Sequence, residues 1–237
     1  MQKGNLYLIP TTLGECEHEN VLPSYNALIF RDIDVFIVEE LRSARRFLRK
    51  AGYKKDFEQV IFHLLNEHTP ENEVSCMLEE AFKGKNIGLL SEAGLPCVAD
   101  PGNIAVRIAH RKQIKIIPLV GPSSIMLSLM ASGFNGQNFA FNGYIPVKDP
   151  DKTKKIKELE NLVLKYQQTQ IFIEAPYRNI SLFESIIKTC HPETMLCIAT
   201  DLTMDTEYIA SKKIVEWKKQ TPDINKRPTV FLLGAMY

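Results

Sequence analysis

Leu90-Ser91-Glu92-Ala93-Gly94-Leu95-Pro96-Cys97-Val98-Ala99-Asp100-Pro101-Gly102 is the stretch on which the fold turns. It follows a short apolar run, Ile87-Gly88-Leu89-Leu90, and leads into a helix-like pattern from Asn103. Glycine opens backbone conformations denied to other residues. Proline fixes its own φ and biases the residue before it toward extended geometry. A second turn of this kind, Val120-Gly121-Pro122-Ser123-Ser124, follows the apolar run 114–120. Two such strand-to-helix turns, with Ser, Glu and Asp among the glycines, suit a ligand crevice at the carboxyl ends of parallel strands. The same residues also suit plain connections, and local chemistry alone does not separate the two readings.

Outward from this stretch the chain alternates. Strand-like runs cover 5–9, 34–38, 60–64, 88–90 and 114–120, with helical patterns at 41–50, from the loop after residue 70 to about residue 84, and at 103–110. That alternation predicts βαβ units and a mainly parallel sheet. A helix is expected at 123–132, burying Ile125, Leu127, Leu129 and Met130 and ending at Gly133 as its cap. Strands are expected at 139–146, 170–174, 195–200, 208–210 and 227–234, and helices at 152–166, 179–189 and 214–219. The helix at 41–50 sets Leu41, Ala44, Phe47 and Leu48 on one face and carries Arg42, Arg45, Arg46, Arg49 and Lys50 elsewhere. A basic helix face is usually just solvated, but this one follows two acids, Glu39-Glu40, at a strand end.

The chain has 237 residues, 45% hydrophobic and 24% charged, with a formal net charge of +1. That is enough for one large or two small domains, and the charge balance argues against a protein that holds nucleic acid mainly by bulk charge while leaving a local basic patch open. The five cysteines form no C-x-x-C pair, which points to reduced, mostly buried thiols and to no zinc site. No apolar run is long enough to span a bilayer, and Met1-Gln2-Lys3-Gly4-Asn5 leads into the first strand-like run with no long apolar stretch. A soluble cytoplasmic protein without metal or membrane partner is expected. The G-x-G-x-x-G, G-x-x-x-x-G-K-[ST] and G-x-S-x-G motifs are absent, and no histidine pair has metal spacing. His68, in a polar loop, is the one histidine weighed as functional.

Ser91 to Gly102 and Val120-Gly121-Pro122-Ser123, read together, resemble two segments of the tetrapyrrole methylase superfamily of S-adenosylmethionine-dependent methyltransferases. The likeness is greatest to the branch containing ribosomal RNA small-subunit methyltransferase I, which carries Ser-Asp-Ala-Gly-Thr-Pro-x-x-Ser-Asp-Pro-Gly and Pro-Gly-Pro-Ser. Three more segments match in order. Leu6-Tyr7-Leu8-Ile9-Pro10-Thr11 resembles the family's first strand and loop. Glu39-Glu40-Leu41-Arg42 resembles its Glu-Asp-Thr-Arg turn, and Glu174-Ala175-Pro176-Tyr177-Arg178 its Glu-Ser-Pro-His-Arg turn. The chain departs from the pattern at Gly14-Glu15-Cys16, at Thr200-Asp201-Leu202-Thr203 and by closing soon after its last strand. These departures fit a shorter paralogue with its own acceptor.

The resemblance implies a two-domain α/β enzyme, with domains at 1–117 and 118–237. The first sheet would be mainly parallel and the second mixed, with S-adenosyl-L-methionine in the interdomain cleft. Pro10, Thr11, Ser91, Glu92, Ala93, Gly94, Pro96 and Asp100 would hold the cofactor from the first domain. Pro122 and Ser123 would do so after the junction, and Ala175, Ala199, Thr200, Pro228 and Thr229 from the second. A homodimer is implied, with rRNA or the small ribosomal subunit as partner. The expected reaction is ribose 2′-O-methylation of rRNA. The alternatives are C-methylation of a corrin or porphyrin precursor and a non-catalytic cofactor-binding module. A hydroxyl acceptor needs a base. Glu40 is the first candidate, with Glu39 and Glu92 behind it, and Arg42, Arg45 and His68 are the expected substrate contacts.

Overall fold

Val35, Phe36, Ile37 and Val38 are all buried, as four consecutive apolar residues must be when both faces of a strand are covered. The computed structural model describes residues 3–235. The chain divides into two units, Met1–Ser123 and Ser124–Tyr237.

The first unit runs β1 (Leu6–Ile9), α1 (Ser24–Phe30), β2 (Val35–Val38), α2 (Leu41–Lys50), β3 (Ile61–Leu64), α3 (Glu71–Met77), β4 (Ile87–Leu90), α4 (Asn103–Arg111) and β5 (Ile116–Pro118). Its strands form one sheet in the order β3-β2-β4-β1-β5, every pair parallel. α1 and α2 pack Phe30, Ala44 and Leu48 against Ile9, Phe36 and Val38 on one face. α3 and α4 pack Val74, Met77, Ala105 and Ile108 against Leu6, Ile37 and Leu89 on the other. The adjacent strands β1 and β4 therefore lead into helices on opposite faces. That is a topological switch point, where the two outgoing chains part and leave a crevice at the strands' carboxyl ends.

The second unit runs α5 (Ser124–Ser132), β6 (Phe139–Tyr144), α6 (Asp151–Tyr166), β7 (Thr169–Ile173), α7 (Asn179–Thr189), β8 (Met195–Thr200), β9 (Tyr208–Lys213), α8 (Ile214–Trp217) and β10 (Thr229–Gly234). Its sheet is mixed, in the order β6-β7-β10-β8-β9, with only the β6–β7 pair parallel. α6 and α7 cover one face through Ile156, Leu159, Leu182 and Ile186. α5 covers the other through Ile125 and Leu129. The single tryptophan, Trp217, is fully buried, edge-on to Phe183, and its indole N–H donates to the Leu196 carbonyl at 2.9 Å. The fold is thus a parallel α/β unit followed by a mixed one, as the strand–helix alternation and the family likeness led one to expect.

Three local expectations need correction. α1 has no counterpart in the sequence pattern, because it buries only Asn26 and Phe30 and shows no apolar stripe. Met130 is 79% exposed. α5 is apolar almost all round, but only Ile125, Ser128, Leu129 and Ser132 face the sheet, so Met126 and Met130 point away. The thiols are not mostly buried: Cys190 and Cys197 are, Cys76 is exposed, and Cys16 and Cys97 lie between.

Candidate active site

The loops leaving β1 and β4 are laced together at the switch point. The Thr11 N–H donates to the Gly94 carbonyl at 3.0 Å, and the Gly94 N–H returns to the Thr12 carbonyl at 3.4 Å. The buried Ser91 hydroxyl donates to the Gly94 carbonyl at 2.6 Å and lies 3.4 Å from the Thr11 hydroxyl. Gly94 has φ +74°, a left-handed conformation that side chains resist. A Cβ there would also stand 2.9 Å from Leu13 and 3.2 Å from the Pro122 carbonyl. Pro10 packs against Gly121, and Asn26 of α1 ties down the next loop by donating to the Val120 carbonyl at 2.8 Å. Sequence reasoning missed Asn26, whose only signal is a buried amide in a short helix. Pro10, Thr11, Ser91, Gly94, Gly121 and Pro122 thus stand together in this unit.

Asp100 closes the long loop. Its Oδ1 accepts the Cys97 and Gly102 N–H groups, each at 2.8 Å, and lets Cys97 (φ 68°) and Ala99 (φ 61°) hold left-handed conformations. Burial raises the Asp100 pKa against the pull of those two N–H groups. Burial and the Asp100 charge push the Cys97 thiol up to about 12, so it is no nucleophile. Replacing Asp100 by Ala is expected to leave both N–H groups unpaired at a cost of about 1–3 kcal/mol. Denaturant unfolding measures it, and Asp100→Asn, which keeps the acceptor oxygen, should lose less.

The two acids after β2 have opposite fates. Glu40 caps α2: its carboxylate accepts the Arg42 N–H at 2.8 Å, and the Ser43 N–H and hydroxyl at 2.6 Å each. Those hydrogen bonds, the Ser43 hydroxyl's first, lower its pKa to about 2. A carboxylate so satisfied is a weak proton acceptor. Glu39 is half-buried instead. Burial first, then the charges of Asp100 and Glu92, raise its pKa to about 7. Of the two carboxyls, Glu39 is the one placed to exchange a proton near neutrality. Glu39 shares a narrow cleft with Thr11, Ser91 and Glu92. Thr11 and Glu92 also border a neighbouring cavity of about 500 Å³, lined further by Gly14, Arg46, Phe47 and Lys50.

In the second unit the expected residues also meet, at one end of the mixed sheet. Thr229 pairs with Thr200 in the ladder, and their hydroxyls lie 3.0 Å apart. The Asp201 N–H donates to the Pro228 carbonyl at 2.9 Å. Ala175 opens a turn held by the buried Glu174, whose Oε1 accepts the Ala175 N–H at 2.7 Å and the Arg178 guanidinium at 2.6 and 2.9 Å. Asn179, fully buried, donates to the Ile224 and Arg227 carbonyls at 3.1 and 2.7 Å and fixes the approach to Pro228. Arg227 pairs with Asp201 at 2.8 Å. Asn179 and Arg227 were not legible as site residues, because each acts on segments distant in sequence.

No family model matches the chain. Proteins named ribosomal RNA small subunit methyltransferase I are similar along nearly all of it. That of Pasteurella multocida is 27% identical over 233 residues, covering 97% of this chain and 79% of the relative. That of Bacillus subtilis is 34% identical over 176 residues, covering 74% of this chain and 56% of the relative. Among solved structures, the methyltransferase CobJ aligns at TM-score 0.66 and 16% identity, covering 98% of this chain and 94% of that one. Cobalt precorrin-4 methyltransferase, CbiF, aligns at TM-score 0.62 and 14% identity, covering 97% and 94%.

The chain has the fold of these methyltransferases and is similar in sequence to the ribosomal RNA small subunit methyltransferase I proteins.

The expected substrate contacts are dispersed. Arg42 and Arg45 both project from α2 into solvent, but Arg45 lies over the rings of Phe57 and Phe62, 5.5 and 5.2 Å from their centroids. His68 stands exposed on the loop after the edge strand β3, 3.5 Å from Glu67. Glu92, Ala93 and Pro228 are exposed at their loops, and Ser123 follows Pro122 at the end of the first unit. Among the described residues no group of three or more His, Cys, Asp or Glu is placed to hold a metal, and no helix is long and apolar enough to cross a membrane.

Proposed function

We propose that the chain is an S-adenosylmethionine-dependent methyltransferase that modifies a ribose 2′-hydroxyl of ribosomal RNA. The observation that carries this is the similarity, over 97% of the chain, to a protein named ribosomal RNA small subunit methyltransferase I. A neighbouring fold, uroporphyrin-III C-methyltransferase from Thermus thermophilus, is described complexed with S-adenyl homocysteine and aligns at TM-score 0.57.

The residues present fit such a cofactor. The switch-point loops offer main-chain groups rather than charged side chains, and Glu39, Glu92 and Asp100 form an acidic surround that a cation would relieve. When bound, S-adenosylmethionine supplies a methyl group already activated on a positively charged sulfur. Pro10, Thr11, Ser91, Glu92, Ala93, Gly94, Pro96, Asp100, Pro122 and Ser123 are proposed to hold it in the first unit. Ala175, Ala199, Thr200, Pro228 and Thr229 are proposed contacts in the second. Glu39 takes the proton of the acceptor hydroxyl, and its raised pKa matches a base working near neutrality. The loops align the reactants, which for an activated donor supplies much of the rate. The reading extends to a cytoplasmic homodimer, which sedimentation of the purified protein checks.

Mapping rRNA methylation in a deletion strain tests the assignment: a ribose methyl should vanish and return on complementation. C-methylation of a corrin or porphyrin precursor is the second reading, favoured by the fold shared with CobJ and CbiF. Unchanged rRNA with altered corrinoids would select it. Cofactor binding without turnover on either substrate would leave a binding module.

The raised pKa of Glu39 also sets a stability trend. Its folded-state pKa of about 7 lies above the ordinary 4.5, so between those values the native state holds a proton that the unfolded chain has lost. Stability therefore falls as pH rises across that window. Glu39→Gln is expected to raise Tm at pH 8 and to leave it unchanged at pH 4, in paired thermal melts.

A further inference from the structure

From Arg42 to Lys55 seven residues are cationic, Arg42, Arg45, Arg46, Arg49, Lys50, Lys54 and Lys55, and none is acidic, in a chain whose net charge is only +1. The structure sorts the helical ones into two rows. Arg45 and Arg49, one turn apart, are committed to the protein. Arg49 lies 4.0 Å from the Phe57 centroid and donates to the Tyr53 carbonyl at 2.7 Å, while Arg45 covers Phe57 and Phe62. The adjacent row is Arg42, Arg46 and Lys50, at i, i+4 and i+8. Among the described residues the guanidinium groups of Arg42 and Arg46 form no hydrogen bond or ion pair, and both residues are exposed. Lys50 donates to the Cys16 carbonyl at 2.7 Å and lies 3.5 Å from Glu17. Successive members of the row are separated by about 6 Å of helix axis. Arg46 and Lys50 also line the 500 Å³ cavity that Thr11 and Glu92 border.

We propose that the Arg42–Arg46–Lys50 row of α2 is the surface that grips the phosphodiester backbone of an RNA substrate and leads it to the cavity beside Glu92. This rests on the rRNA reading and deepens it. A row of cations on an open helix face matches a polyanionic strand better than a compact tetrapyrrole, whose carboxylates would also meet the acidic Glu39, Glu92 and Asp100 surround. The role assigned to Arg45 changes accordingly: it braces the helix on the aromatic pair, and Arg46 takes its place as the substrate contact.

The test is fluorescence anisotropy with a labelled single-stranded RNA 20-mer at several salt concentrations. Arg42→Gln/Arg46→Gln should reduce the slope of log affinity against log salt by about 1.4, about 0.7 for each lost phosphate contact. Its cofactor affinity and Tm should match wild type. Arg45→Gln should lower Tm and leave the slope unchanged. Wild-type binding with an unaltered slope in the double variant overturns the surface and leaves the rRNA reading standing. A wild type without salt-dependent RNA binding, in a strain whose deletion changes no rRNA methyl, overturns both. Uroporphyrin affinity that falls in the double variant while RNA affinity holds assigns the row to a carboxylated ligand and overturns the RNA proposal.

Discussion

Glu39→Gln is expected to slow single-turnover methyl transfer to RNA by about 10²- to 10⁴-fold, the usual contribution of a positioned base. Cofactor affinity, measured by calorimetry, should fall far less than the rate, because Gln keeps the shape and two of the three carboxylates of the acidic surround remain. The wild-type rate should rise with pH through about 7 and level off above it, since Glu39 must be ionised to accept a proton. Glu40→Ala is the discriminating companion. It removes the cap of α2 and lowers Tm, but a carboxylate already held near pKa 2 by three hydrogen bonds contributes little as a base, so the single-turnover rate should be largely kept. A rate lost in Glu40→Ala and kept in Glu39→Gln would reverse the assignment. Removing Asp100's charge with Asp100→Asn should move the pH midpoint to lower pH, because that charge helps raise Glu39.

Gly121→Ala is the second large effect. A Cβ at Gly121 would lie 2.2 Å from Pro10 Cβ and 2.6 Å from Pro10 Cγ. The Pro10 ring is rigid and buried, so it cannot rotate away, and the backbone of one loop must move. Overpacking of this kind costs about 1–3 kcal/mol, and for a chain of this size each kcal/mol lowers Tm by about 2–4 °C. Because Pro10 leads directly into Thr11 and its bonds to Gly94 and Ser91, the same shift should weaken cofactor binding. Gly136→Ala, where a Cβ would meet nothing within 4 Å, should change stability by less than about 0.5 kcal/mol. Equal losses in both variants would mean that contact with Pro10 does not set the effect, since removing glycine's unfolded-state freedom would by itself stabilise.

Much of the fold was legible before any coordinates. Fully buried runs such as Val35–Val38 and amphipathic runs such as Leu41–Lys50 and Asn179–Thr189 announce themselves by periodicity. α1 did not, because a seven-residue helix burying only Asn26 and Phe30 carries no period to detect. Met130 misled for the opposite reason: in a helix apolar all round, composition does not say which side faces the sheet.

By itself the sequence determined the strand–helix alternation, the two Gly/Pro turns and the family likeness, since these depend on local backbone chemistry and on residue order. Only the tertiary structure decided what neighbouring residues of the same type do. Glu39 and Glu40 are adjacent carboxylates, yet one is half-buried beside Asp100 and Glu92 and the other is satisfied by the first turn of α2. Arg45 and Arg46 are adjacent guanidiniums, yet one lies over Phe57 and Phe62 and the other lines the cavity. Burial, charge partners and ring faces come from segments distant in the chain, and they set the basicity of an acid and the freedom of a cation.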